Sequence, residues 1–134
     1  MAQTNQELME TLFGNIASSG WTHTFEDALA DDLIWTATGS APLDGRYASK
    51  QAYLTQVLGS IRERLATLPR PVVDGILTDG DQVCVRFHGE GGRGKNGADF
   101  NMEYCWIMKL RDGKIVEVVG YYDSVKLTAL FEDR

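Results

Sequence analysis

Between positions 100 and 110 the chain alternates without a break. Phe100, Met102, Tyr104, Trp106, Met108 and Leu110 are bulky and apolar, whereas Asn101, Glu103, Cys105 and Lys109 between them are not, Ile107 being the one exception. A period of two sends the two sets to opposite faces of a β-strand. A strand covered on both faces reads as a continuous apolar run, so this one belongs to a sheet with one covered and one open face. The even face is expected to be the concave, covered one.

Three more stretches read as strands: Val72 to Thr78, Gln82 to His88 and Ile115 to Asp123. Ahead of them the spacing is helical. Leu8, Leu12, Phe13 and Ile16 recur three and four apart in a helix from Gln3 to Ser18, and Gly20 is placed to stop it. Thr24 can cap a short second helix through Leu29, after which Leu33 to Thr38 reads as a strand and Gly39 to Gly45 as a loop. Ser49 caps a third helix, with Leu54, Val57, Leu58, Ile61 and Leu65 on one side and Arg62, Glu63 and Arg64 towards water. Pro69 and Pro71 end any continuation. Helices first and a meander afterwards predict one α+β domain over residues 1–134, with three N-terminal helices packed on a curved antiparallel sheet.

The hairpins set which side chains meet. A three-residue turn, Arg111-Asp112-Gly113, pairs Leu110 with Lys114, Met108 with Val116, Trp106 with Val118, Tyr104 with Gly120 and Met102 with Tyr122. A two-residue Asp-Gly turn would oppose Met108 to Glu117 and put a carboxylate on the apolar face, so the longer turn is favoured. Upstream, the same reasoning pairs Phe87 with Met102, Val85 with Tyr104 and Val83 with Trp106, with Arg86 facing Glu103 outside. The glycine-rich connection from Phe87 to Phe100 is then a flexible lip or a dimer contact. It is not a phosphate loop, because a strand follows where a helix N-terminus would be needed.

A formal charge of −6 without a basic block argues against nucleic acid as a partner. The polar, acidic first ten residues and the lack of a long apolar window predict no signal peptide and no membrane association, hence a cytoplasmic protein. Cys84 and Cys105 are read as reduced, buried thiols. His23 and His88 are the only two histidines, with no carboxylate at ligand spacing, so neither a metal nor another cofactor is expected.

Two segments carry a likeness to known proteins: Tyr104-Cys-Trp-Ile-Met-Lys-Leu-Arg-Asp-Gly-Lys-Ile-Val-Glu-Val-Val-Gly-Tyr-Tyr-Asp123, and Ala30-Asp-Asp-Leu-Ile-Trp-Thr-Ala-Thr-Gly39 followed by Ala41-Pro-Leu-Asp-Gly45. With the helix order they resemble the nuclear transport factor 2-like superfamily, especially SnoaL-like proteins and their ketosteroid isomerase and limonene-epoxide hydrolase relatives. The resemblance implies a cone-shaped, cystatin-like fold with a deep pocket, and a homodimer formed through the open sheet face. It also implies where catalytic groups would stand. The isomerases' carboxylate base falls at Thr36, their helix-one tyrosine at Leu12 or Phe13, and their protonated Asp donor at Trp106. The hydrolases' last-strand carboxylate falls at Gly120, and their Arg and Asp at about Phe87 and Gly89. A one-residue slip would bring Arg86 and His88 onto those last positions.

The candidate pocket lining is Trp35, Thr36, Tyr53, Phe87, Tyr104, Trp106, Val118 and Tyr122, with Gly120 leaving space beside the aromatic residues. Candidate catalytic groups are His88 with Arg86, and Tyr104 and Tyr122 as hydrogen-bond donors. Asp123, at the end of the last strand and facing Asn101, is expected to be structural. The expected function is a SnoaL-like protein with an aromatic pocket for a small hydrophobic ligand, of the isomerase, cyclase or hydrolase kind. The alternative is a non-catalytic dimerisation or accessory module.

Overall fold

In a computed structural model that describes residues 4–133, the chain opens on a helix whose start is fixed by its own side chains. Thr4 Oγ1 accepts from the Glu7 N–H at 3.1 Å, and the Glu7 carboxylate accepts from the Thr4 N–H at 3.0 Å. This reciprocal capping satisfies two N–H groups that a helix start otherwise leaves bare. The helix, α1 (Asn5–Ser19), buries Met9, Leu12, Phe13 and Ile16 and ends at Gly20, whose φ of 88° is in the left-handed region. Gln3, the expected first residue, lies outside the described residues. Next come α2 (His23–Asp27), whose N-cap position is Thr22 rather than Thr24 and has no side-chain capping bond, and β1 (Leu29–Ala37), which begins four residues before the expected Leu33. After β2 (Gly45–Tyr47) a third helix, α3, covers residues 50–64. Ser49 Oγ accepts from the Ala52 N–H at 3.0 Å, which confirms the expected cap. The turns over Tyr53–Leu58 are π-helical and hold one extra residue, which rotates everything after them.

The strands that follow are β3 (Leu65–Thr67), β4 (Arg70–Asp79), β5 (Gln82–Glu90), β6 (Arg93–Gly94), β7 (Glu103–Arg111) and β8 (Lys114–Tyr121). Six of the strands form one sheet in the order β2-β1-β8-β7-β5-β4, and β3 pairs with β6 apart from it. The expectation of an antiparallel sheet is corrected at one seam. β1 and β8 run parallel, with Trp35 beside Val118 and Ala37 beside Gly120, so the sheet is mixed. Alternation within a strand shows which face is covered but not the direction of a neighbour from the far end of the chain.

The even face of β7 is the covered one, and Val83, Val85 and Phe87 of β5 share it at no more than 1% exposure. The registers are shifted from those expected. β5 and β7 pair Phe87 with Tyr104, Val85 with Trp106 and Val83 with Met108, two residues further along β7. The β7–β8 turn is the two-residue one, with Arg111 opposite Lys114, and Asp112 and Gly113 both at positive φ. The register then shifts beyond Leu110, so that Lys109 opposes Glu117 and Met108 opposes Val118. This irregularity removes the objection to the short turn, because the extra residue on β8 turns Glu117 to the open face. Trp106 consequently lies beside Gly120 instead of Val118.

Two further differences lie near the pocket. A last helix, α4 (Ser124–Leu130), was not anticipated; Asp123 caps it by accepting from the Val125 and Lys126 N–H groups, so its role is structural but it does not face Asn101. Leu127 and Leu130 join Leu65, Phe100 and Met102 in a second apolar cluster. The glycine-rich connection is packed and hydrogen-bonded rather than a free lip. The Asn101 side chain bonds both the N–H and the carbonyl of Gly92, at 2.8 and 3.0 Å, and the Asn96 side-chain amide donates to the Ala129 carbonyl at 2.9 Å.

Candidate functional site

Between α3, α4 and the covered sheet face lies a cavity of about 100 Å³, lined by Trp21, Trp35, Tyr53, Tyr104, Trp106 and Tyr122 together with aliphatic side chains and Gly120. Its walls come from elements distant in sequence. β1 supplies Trp35, which α3 pins by stacking Tyr53 on it, ring centroids 3.9 Å apart and planes 16° from parallel. Trp106 of β7 meets Trp35 edge-on at 4.9 Å and 84°, and Tyr104 lies flat on Phe87 at 4.5 Å and 7°. Edge-on and stacked contacts of this kind fix ring orientation as well as bury area.

Of the expected lining, the structure brings Trp35, Tyr53, Tyr104, Trp106 and Tyr122 to the cavity. Thr36, Phe87 and Val118 are elsewhere. Thr36 alternates with Trp35 and Ala37 and so faces the other side of β1, while Phe87 and Val118 are buried in the main core. Trp21 and Arg62 were missed. An ideal helical period sends Arg62 towards water, and the π-helical turn before it breaks that period. Its guanidinium donates to Glu26 Oε2 at 3.3 Å and to the Trp21 carbonyl oxygen. Trp21, in the link between α1 and α2, donates its indole N–H to the Pro69 carbonyl at 2.9 Å and could have been found only from its size.

Burial pushes the Tyr53 and Tyr104 hydroxyls above the ordinary phenol range, so both stay protonated at neutral pH. They can donate hydrogen bonds and cannot serve as bases there. The Tyr122 hydroxyl is buried with no hydrogen-bond partner among the described residues. Among the described residues the lining includes no carboxylate and no imidazole. The half-buried Asp44 lies near its rim, beside the lining residue Leu43; burial raises its carboxyl, and Oδ2 is held by the Ala41 N–H at 2.5 Å.

His88 and Arg86 alternate with the covered Val85 and Phe87 and therefore lie on the open face of the sheet, away from the cavity. His88 Nδ1 is 2.8 Å from Asp74 Oδ2 and Nε2 is 3.1 Å from Glu90 Oε2; Glu103, opposite in the ladder, is not its bonded partner. Only the imidazolium can donate both bonds, and they raise the His88 pKa. The folded value lies above the unfolded one near ~6.5, so the stabilisation is complete below ~6.5 and is lost as pH rises through the folded value. A proton NMR titration should place the His88 midpoint above ~6.5, and Asp74→Asn should lower it. A wild-type midpoint at or below ~6.5 would refute the double contact.

On the same face Cys84 Sγ and Cys105 Sγ are 3.4 Å apart, half-buried rather than fully buried, and the Cys84 thiol is pushed up to about 11, chiefly by burial. Among the described residues no group of three or more His, Cys, Asp or Glu side chains is placed to hold a metal ion, and no helix is long and apolar enough to cross a membrane.

The family model of the SnoaL-like domain matches residues 13–118. No curated protein matches the sequence. Among solved structures, a nuclear transport factor 2-like protein from Burkholderia thailandensis superposes with a TM-score of 0.80 at 17% identity, over 98% of this chain and 99% of that one. A protein of unknown function with a cystatin-like fold from Xanthomonas campestris gives 0.76 at 22% identity, over 98% and 100%. TerC, co-crystallised with polyporic acid, gives 0.74 at 18% identity, over 94% and 96%. At these identities the likeness shows the fold, whereas the family model spans most of the sequence. The chain belongs to the SnoaL-like domain family and has its α+β, nuclear transport factor 2-like architecture.

Proposed function

We propose that this cytoplasmic SnoaL-like protein binds a small hydrophobic molecule with at least one ring in the cavity between α3 and the covered sheet face. The observation that carries the reading is the aromatic wall, in which Trp35, Tyr53 and Trp106 are held by ring contacts around open volume. Apolar cavities of this order stay dry and take up small arenes. The co-crystallisation of TerC with polyporic acid supports the fold as a binder of small molecules. Turnover, where it occurs, is of the isomerase, cyclase or hydrolase kind, with Tyr104 or Tyr122 donating a hydrogen bond to the ligand. His88 and Arg86 take no part in it, since both stand on the open face.

Thermal unfolding with steroid-like, polyketide-like and single-ring compounds tests this reading. A ligand at one hundred times its dissociation constant should raise Tm by on the order of 5–10 °C. No shift across the panel would count against it.

The open face supports a second proposal, homodimerisation through the sheet. Leu77, Ile107 and Tyr121 are 69%, 37% and 47% exposed there. Light scattering should give a dimer mass that Ile107→Glu converts to a monomer mass. A monomer at every concentration would sink the idea.

A further inference from the structure

The cavity contains two indole N–H groups beside a residue with no side chain. A β-carbon built on Gly120 would lie 3.4 Å from Trp106 Nε1 and 3.8 Å from Trp35 Nε1. Both nitrogens therefore flank one position on the cavity wall, over the β8 backbone. That backbone is fixed, because the Gly120 carbonyl accepts from the Thr38 hydroxyl at 2.9 Å and from the Thr38 N–H at 3.1 Å. The rings are fixed as well: Tyr53 stacks on Trp35, and Phe87 meets Trp106 edge-on at 4.9 Å. Of the three indoles only Trp21 uses its N–H within the protein, on the Pro69 carbonyl, among the described residues. An indole nitrogen donates and never accepts. Two preorganised donors beside a glycine in an apolar cavity are suited to an oxygen atom and offer nothing to a ligand donor.

We propose that the pocket selects aromatic ligands carrying a carbonyl or enolate oxygen, and that this oxygen sits over Gly120 between the N–H groups of Trp35 and Trp106. The inference rests on the reading of the cavity as a ligand site and adds to it the class and orientation of the ligand. The buried, protonated phenols of Tyr53 and Tyr104 are further donors on the same walls. Glu26 faces Arg62 and offsets the one charged side chain of the lining among the described residues, so a neutral ketone is accepted as well as an anion. The absence of a side chain at 120 is then a requirement of binding, since Gly120 is not among the positive-φ residues and an alanine there would meet the rings only at ordinary contact distance.

The test compares 1-indanone with indane, which differ only by a carbonyl in place of one CH2 group, by calorimetry and by the infrared band of carbonyl-labelled 1-indanone. The wild-type protein should bind 1-indanone roughly tenfold or more tightly than indane, as two hydrogen bonds of ordinary strength imply. The carbonyl band should move to lower frequency on binding. Gly120→Ala, with melting unchanged, should bring the two affinities together and return the band towards its unbonded position. Trp35→Phe, which removes one donor and leaves residue 120 alone, should lower the preference and move the band part of the way. Equal binding of the two compounds by the wild type overturns the inference and leaves the ligand site standing. A preference and band that persist in both variants overturn it too. Failure of both compounds to bind removes the site reading and this inference together.

Discussion

Trp106→Ala is expected to lower the unfolding free energy by roughly 3–5 kcal/mol, the largest loss for any single substitution considered. Trp106 is the residue on which the other rings converge. Its centroid lies 4.9 Å from those of Trp35 and Phe87, 5.8 Å from Trp21, 6.0 Å from Phe13 and 6.1 Å from Phe25 and Tyr104. α1, the α1–α2 link, α2, β1 and β5 are thereby all in contact with one side chain of β7. Truncation leaves a hole that no single neighbour can fill without giving up its own ring contacts. The adjacent Ile107 points to the open face at 37% exposure, and Ile107→Ala should cost only about 1 kcal/mol. Urea unfolding of the two variants checks the contrast. Similar losses would mean that the ring cluster does not hold the sheet to its helices.

A second large effect comes from a residue type with no side chain to lose. Gly92→Ala places a β-carbon 2.7 Å from the Phe100 carbonyl oxygen and 2.9 Å from Pro69 Cβ, where neither backbone nor proline ring can give way cheaply. A loss of about 1–3 kcal/mol is expected. Gly14→Ala, the same chemical change in the exposed middle of α1 with nothing within 4 Å, should instead stabilise by ~0.5–1 kcal/mol. Opposite signs in chemical denaturation are the expected result. A neutral Gly92→Ala would mean that the connection does not hold the close approach seen here.

These two predictions also mark where the fold was legible. The ring cluster was: the even residues of β7, the covered residues of β5 and the helical spacing of Leu12, Phe13 and Ile16 follow from periodicity alone, and periodicity reports burial directly. Five of the eight expected lining residues reach the cavity for the same reason. The glycine-rich connection was not legible, because its order comes from Asn101, Asn96 and Pro69, contacts whose sequence spacing has no period. Arg62 was misplaced by the π-helical turn and Gly120 by the register of β8. For Arg62 the extra residue changed the side that the helix presents, whereas Gly120 stays on the covered face as expected and only its partner moves, from Tyr104 to Trp106. A turn motif weighed without its neighbouring irregularity cannot reveal that. The missed α4 is different in kind. Asp123 followed by Leu127 and Leu130 is a readable helix start, but the strand pattern running into Asp123 masks it.

The parallel seam between β1 and β8 has a consequence for how the molecule forms. Thr38 bonds Gly120 across 82 positions of sequence, and Trp35 reaches its place beside β8 only through that seam. The β4–β5 and β7–β8 hairpins close over short loops, whereas this contact waits for the two ends of the chain to meet, the slow kind of event in folding. The cavity floor is thus expected to be among the last parts completed. Any partly folded form that has the hairpins but not the seam lacks the cavity wall built by Trp35, so binding at the proposed site would report on the finished fold.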